Sequence, residues 1–241
     1  MKEKNELDIL IPVFNEKETI IKTLKNIITT VKYNYNIFIC YDYDEDPTLK
    51  IIKENFNDNS KIIFIKNSSR GFNSALISGF THSKGKAVVF YMADDHINHN
   101  TINLCYEKFK EGYQVICPSR FMKGGKMEGN PILKSFLTRL ASFFLFYFTS
   151  FPIKDSTNSF RLFPRDLLDK IKIESNKGFT LSLELTAKAH RLKYKITEIP
   201  VMWKEREKGK SRFKLLSFLP LYLKWFFYII NTQILKLYEN K

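Results

Sequence analysis

Apolar residues fall along this chain in two alternating rhythms. Short unbroken apolar runs occur at 8–14 (DILIPVF), 37–41 (IFICY), 61–65, 87–91 (AVVFY) and 114–118, each closed by polar or acidic residues. Runs of this length and continuity predict strands buried on both faces. Between them the spacing changes to a helical one. Ile20, Ile21, Leu24, Ile27, Ile28 and Val31 mark a helix over 16–31. Further helices are predicted over 47–56, opened by Pro47, over 71–82 and over 101–110. Strands alternating with helices at this pace predict an α/β fold: a mostly parallel sheet with right-handed crossovers, flanked by helices.

Beyond residue 120 the rhythm is less regular. Residues 123–131 (KGGKMEGNP) read as a flexible basic loop, a lid over a site. Residues 132–153 hold a 14-residue stretch without charge, LASFFLFYFTSFPI, short for a membrane span. It predicts an interfacial amphipathic helix or a core helix. Residues 155–164 (DSTNSFRLFP) read as a polar turn entering a helix, 178–191 as a helix carrying Glu184, and 195–203 as a late strand. The tail 215–238 predicts an amphipathic helix, anchored in a membrane interface or packed on the core. Lys224 near its middle argues against a span.

Composition narrows the partners. The 241 residues carry a formal net charge of +14, which favours anionic ligands or surfaces. Many of the 22 phenylalanines crowd the C-terminal half, pointing to a membrane surface more than to a nucleic-acid groove. Three cysteines, Cys40, Cys105 and Cys117, have no metal-binding or disulfide spacing and read as buried apolar groups in a reducing compartment. No secretory leader precedes the first strand, which predicts a cytoplasmic chain, peripheral on the cytoplasmic face of a membrane. Neither a GxGxxG fingerprint nor a GxxxxGK[ST] loop is present, so dinucleotide and P-loop chemistry are disfavoured.

The chemistry concentrates at strand ends. The fourth strand stops at MADDH (92–96), and acids beyond a strand's carboxyl end can hold a divalent cation and through it a diphosphate. Taken in order, IPVFNE (11–16), YDYDEDPT (41–48), RGFNSALISGF (70–80), MADDH, SRFMKGG (119–125), DSTNSFRLF (155–163) and EIPVMWKEREKGKSRF (198–213) resemble the GT-A nucleotide-sugar glycosyltransferases. Within them the resemblance is greatest to the polyprenyl-phosphate sugar transferases, including the dolichol-phosphate mannose synthases.

That resemblance implies an inverting transfer from a UDP- or GDP-sugar to a polyprenyl phosphate or other lipid-linked acceptor, with Mg2+ or Mn2+. It implies a donor half over 1–120, an acceptor half over 121–213, and a basic aromatic tail over 214–241 at the membrane. Asp42 would contact the nucleoside, with Pro12, Asn15 and Glu16 in the same pocket. Asp94 matches the second acid of the Asp-x-Asp metal motif; Met92 stands where the first acid would be. Asp95 and His96 would complete the metal set, with Asp94 and Asp95 also serving catalysis. Arg206 and Arg212, flanking Gly209 and Ser211, resemble an anion-binding signature, and Arg120 and Arg161 are further anion clamps. An anionic phosphate acceptor needs no general base; a hydroxyl acceptor would, and Asp155 and Glu184 are the candidates. A transferase acting on a saccharide hydroxyl, and an inactive nucleotide-sugar-binding module, are the alternative readings.

Overall fold

The computed structural model describes residues 5–57, 59–129, 132–204 and 215–233. Its first half follows the predicted alternation closely. Strand β1 (Leu7–Val13) leads to α1 (Ile20–Thr30), β2 (Tyr35–Tyr41) to α2 (Pro47–Phe56), and β3 (Ile62–Lys66) to α3 (Phe72–His82). Then come β4 (Ala87–Phe90), α4 (His99–Lys110), β5 (Val115–Ser119), the short β6 (Lys126–Glu128) and α5 (Ile132–Phe148). The remaining elements are β7 (Arg161–Pro164), α6 (Leu167–Lys170), α7 (Leu181–Arg191), β8 (Ile196–Pro200), β9 (Met202–Lys204) and α8 (Leu215–Gln233).

Seven strands form one sheet in the order β3-β2-β1-β4-β7-β5-β8, and β6 pairs with β9 in a separate parallel ribbon. All neighbours in the large sheet run parallel except at β7, which is antiparallel to both β4 and β5. This strand corrects the expectation of a turn entering a helix at 155–164. The segment is easily misread because it is only four residues long and contains an arginine and a proline. All four are nevertheless buried. The two terminal nitrogens of the Arg161 guanidinium donate to the carbonyls of Ser182, Asp155 and Ser156 and to the Thr186 hydroxyl, so its charge sits inside the fold.

Each central strand buries both faces, which is why it reads as an unbroken apolar run. Leu7, Ile9 and Ile11 of β1 pack with Leu24 and Ile27 of α1 and Ile102 of α4. Leu10, Val88 and Phe90 face the opposite layer, with Leu76 and Phe80 of α3, Leu185 of α7 and Trp225 of α8. Gly79 marks the closest helix–sheet approach. A Cβ there would lie 2.6 Å from the Cys40 Sγ and 3.1 Å from Leu10 side-chain atoms.

The two aromatic helices divide between the core and the surface. In α8, Trp225 and Ile229 are buried, and the Trp225 indole donates to the Ser175 Oγ at 2.9 Å. Lys224 pairs with Glu174, which also pairs with Lys188 of α7. The described part of the tail thus docks on the body. Helix α5 is turned inside out. Its Ser142 and Leu145 face the protein, Ser142 hydrogen-bonding Ser156, while Phe136, Leu140, Phe143, Tyr147 and Phe148 face outward. No described helix is long and apolar enough to cross a membrane.

Replacing Gly79 with alanine forces α3 off the sheet; urea unfolding should show a loss of about 1–3 kcal/mol.

Candidate donor and acceptor cavity

The carboxyl ends of β1, β2, β4 and β5 open into a cavity of about 700 Å3. This edge of an open α/β sheet is where ligands bind, because the diverging loops leave a crevice. One side is built from Pro12 and Glu16 after β1, Asp42 after β2 and Arg70 before α3; the floor is the acidic turn 92–98 after β4. The far side brings Arg120, residues 157–160, Phe179, β9 and Tyr222 of α8. One cavity therefore gathers Pro12, Glu16, Asp42, Asp94, Asp95, His96 and Arg120.

Asp42 is pinned at the mouth. Its carboxylate accepts from the Asn67 Nδ2 at 2.8 Å and from the Gly71 N–H at 3.1 Å. Gly71 has φ +113°, a backbone conformation that side chains disfavour, and this brings its N–H to the acid. Asn15 is placed otherwise than expected. It does not line the cavity but takes a left-handed conformation with φ 55°. Its N–H donates to the Asp46 carboxylate at 3.0 Å, and its Oδ1 accepts from the Tyr43 hydroxyl at 2.7 Å. With Glu16 N–H donating to the Thr48 Oγ1 at 2.8 Å, Asn15 locks the turn after β1 to the start of α2. It positions its neighbours Phe14 and Glu16, which do face the cavity.

The acidic turn is held from below by α1. The Thr23 hydroxyl donates to the Ala93 carbonyl and the Asn26 amide to the His96 carbonyl, both at 2.9 Å. These two residues escape sequence reasoning because they read simply as polar positions on an amphipathic helix. Asp94 and Asp95 then differ sharply. Asp94 lines the cavity, and the His96 Nδ1 lies 3.1 Å from its carbonyl oxygen. The Asp95 carboxylate is spent on the loop itself, accepting from the Ile97 N–H at 3.2 Å, the Asn98 N–H at 3.0 Å and the Asn98 side-chain amide. Burial pushes its carboxyl above the usual range, against those hydrogen bonds. Among the described residues no three His, Cys, Asp or Glu side chains converge to hold a metal, so the expected Asp94–Asp95–His96 set is not assembled as a cage.

Across the cavity, Arg120, expected as an anion clamp, already has an anionic partner within the chain. Its Nε and Nη2 fork onto the two oxygens of Asp155 at 2.7 and 2.8 Å, and its Nη2 also donates to the Thr157 Oγ1 at 2.7 Å. Asp155 is fully buried, and burial alone would raise its pKa. The Arg120 charge and hydrogen bonds outweigh that and hold it below the usual carboxylate range. A carboxylate so held is a poor proton acceptor. Glu184, the other candidate base, is fully buried in α7, where it accepts from the N–H groups of Glu174 and Ser175 and pairs with Lys188, each at 2.7 Å. Neither acid lines the cavity, and neither does the buried Arg161. Arg206, Gly209, Ser211 and Arg212 lie outside the described residues.

Removing the Asp155 charge by Asp155→Asn leaves Arg120 as an uncompensated buried cation, which should cost about 3–5 kcal/mol at neutral pH. Because the folded pKa of Asp155 lies below its unfolded value, the pair stabilises fully above the unfolded value. That contribution disappears as the pH falls through the folded one. Unfolding followed from pH 7 downward should therefore show the gap between parent and variant narrowing below about pH 4.

Comparison with known proteins agrees with this geometry. Residues 8–172 match the model of a family described as glycosyl transferase family 2. The chain is 25% identical over 215 residues to a dolichol-phosphate mannosyltransferase of Pyrococcus furiosus, an alignment covering 87% of this chain and 59% of that one. It is 26% identical over 221 residues to an uncharacterised glycosyltransferase of Bacillus subtilis, covering 90% and 66%. An uncharacterised glycosyltransferase of Synechocystis is 29% identical over 172 residues, covering 69% and 52%. The chain thus spans about half to two thirds of the length of these relatives. Among solved structures, glucosyl-3-phosphoglycerate synthase from Mycobacterium tuberculosis in complex with UDP superposes with a TM-score of 0.67 at 13% identity, covering 94% of this chain and 79% of that one. Its complex with Mn2+, UDP and glucosyl-3-phosphoglycerate gives 0.63 at 13% identity, covering 95% and 78%. At such identity the likeness is one of fold.

Proposed function

The chain belongs to glycosyl transferase family 2 and has its GT-A fold, and on that premise we propose that it moves a sugar from a UDP- or GDP-linked donor to a polyprenyl phosphate, with inversion. Residues 1–120 hold the donor and residues 121–213 the acceptor. The observation that carries this reading is the fate of the two candidate bases. Asp155 and Glu184 are both buried, ion-paired and outside the cavity. A hydroxyl acceptor would need such a group to take its proton, whereas a phosphate arrives already ionised. The phosphate oxygen forms the new bond to the anomeric carbon as the bond to the donor diphosphate breaks, and no proton need move.

The chain's own groups have separate tasks. Asp42, fixed by Asn67 and Gly71, presents an acceptor to N–H groups of the base. Arg70 and Lys204, both lining the cavity, bring positive charge to phosphate oxygens. The Arg120–Asp155 pair orders the acceptor side, and Arg206, Ser211 and Arg212 are proposed as anion-binding residues. Asp94 offers the hard oxygen donor that Mg2+ or Mn2+ prefers, and such a cation typically takes one or two carboxylates and completes its shell with phosphate oxygens and water. A preformed three-ligand cage is therefore not required. Bound there, the cation would neutralise charge on the leaving diphosphate.

The location is proposed to be the cytoplasmic face of a membrane, with peripheral attachment. The outward face of α5 supports it: Tyr147 is 63%, Phe148 61% and Phe136 59% exposed, on a chain of net charge +14. Exposed aromatic surface beside basic charge suits an anionic lipid interface.

Transfer of labelled sugar from UDP- and GDP-linked donors should be measured with vesicles containing polyprenyl phosphate, with free polyprenol and saccharides as rival acceptors. Product should form on the phosphate, faster on anionic vesicles, and Asp94→Ala should lower turnover about a hundredfold. Transfer to a saccharide with the lipid phosphate inert would refute the acceptor assignment.

A further inference from the structure

The reassignment of Asp95 from metal ligand to loop anchor leaves its buried charge to be explained. Its partner is Asn98, which is itself 9% exposed and lies just before α4. The Asn98 Nδ2 donates to the two Asp95 oxygens at 3.0 and 2.8 Å, and also to the Met202 carbonyl at 2.7 Å. Three acceptors around one nitrogen identify that atom as the amide nitrogen. They also use both of its hydrogens. Met202 opens β9, and the two residues that follow it, Trp203 and Lys204, line the cavity opposite the acidic turn.

We infer that Asp95 and Asn98 are positioning residues, forming a strut that ties the floor of the cavity at Asp94 to the β9 wall and fixes the register between them. The carboxylate of Asp95 orients the amide, and the amide bridges the gap. No other side chain of this length donates in two directions at once. A carboxylate in place of the Asn98 amide would set like charges together, and a serine hydroxyl brings a single hydrogen. The turn itself is seated on α1 through Thr23 and Asn26, so the strut carries the position of α1 and β4 across to β9. β9 also pairs with β6, and just before it the Val201 N–H donates to the Ser119 carbonyl and the Val201 carbonyl accepts from the Lys126 N–H, each at 3.1 Å. Those bonds hold the wall to β5 and β6, not to the donor floor.

Only the catalytic readout of the strut rests on the proposed transfer reaction. A reciprocal exchange separates the strut's two halves. In Asp95→Asn/Asn98→Asp the amide–carboxylate pair within the turn is restored with its ends reversed, but the relocated carboxylate has no hydrogen for the Met202 carbonyl. This variant should bind UDP or GDP with Mn2+ within about threefold of the parent. Its kcat should fall at least tenfold, and amide exchange at residues 201–204 should be at least tenfold faster. Parental exchange at β9 together with kcat within twofold of the parent would overturn the strut. Should the exchanged pair not fold, Asn98→Ser supplies the same readout, faster β9 exchange being expected and unchanged exchange contradicting it. Failure of the parent itself to bind either nucleotide would sink the transfer reaction, while β9 exchange would still decide the strut.

Discussion

The buried carboxylate of Asp155 gathers the second half of the molecule around itself. It takes a forked guanidinium from Arg120 at the end of β5, the Arg120 N–H, and the N–H groups of Thr157 and Asn158. Its own N–H and that of Lys154 are taken by Glu198 of β8. Arg161 reaches the Asp155 carbonyl from β7. Three strands are thus aligned at one end by a single charged group and its neighbours. The pair is costly to bury and costlier to break, since either partner alone would be a desolvated ion.

The side of the cavity built on β1, β2 and β4 works by a different device. Its acids are held by neutral groups: Asp42 by an asparagine and a glycine N–H, Asp95 by an asparagine, and the acidic turn by a threonine and an asparagine of α1. Such contacts position carboxylates without neutralising them. Across the cavity Arg120 is neutralised by Asp155, and Lys204 of β9 and, on the opposite side, Arg70 are further cationic residues of the lining.

Much of the first 120 residues is legible in the sequence because short apolar runs closed by polar residues alternate with longer helically spaced segments, and length and flanks together identify the strands. Strand β7 is hidden because it is four residues long and carries a buried Arg161, whose partners at Ser182 and Thr186 are more than twenty residues away and leave no trace in the local pattern. The site shows the same division. Pro12, Glu16, Asp42 and Asp94 line the cavity as their motifs suggest. Asn15 and Asp95 carry equally suggestive motifs yet act on the backbone around them. Arg120 faces the cavity but answers to a partner 35 residues away. Adjacency in sequence identifies which turn bears the chemistry. It does not tell which of two neighbouring acids turns outward, because that depends on Asn98 and on β9.

The central claim is that the cavity floored by Asp94 receives a nucleoside diphosphate. Calorimetric titration of the full chain with UDP and with GDP, each with and without Mn2+, tests it most directly. One of the two should bind, more tightly with the metal, and the metal-dependent gain should vanish in Asp94→Ala. Absence of binding by both nucleotides, with and without metal, would contradict the account.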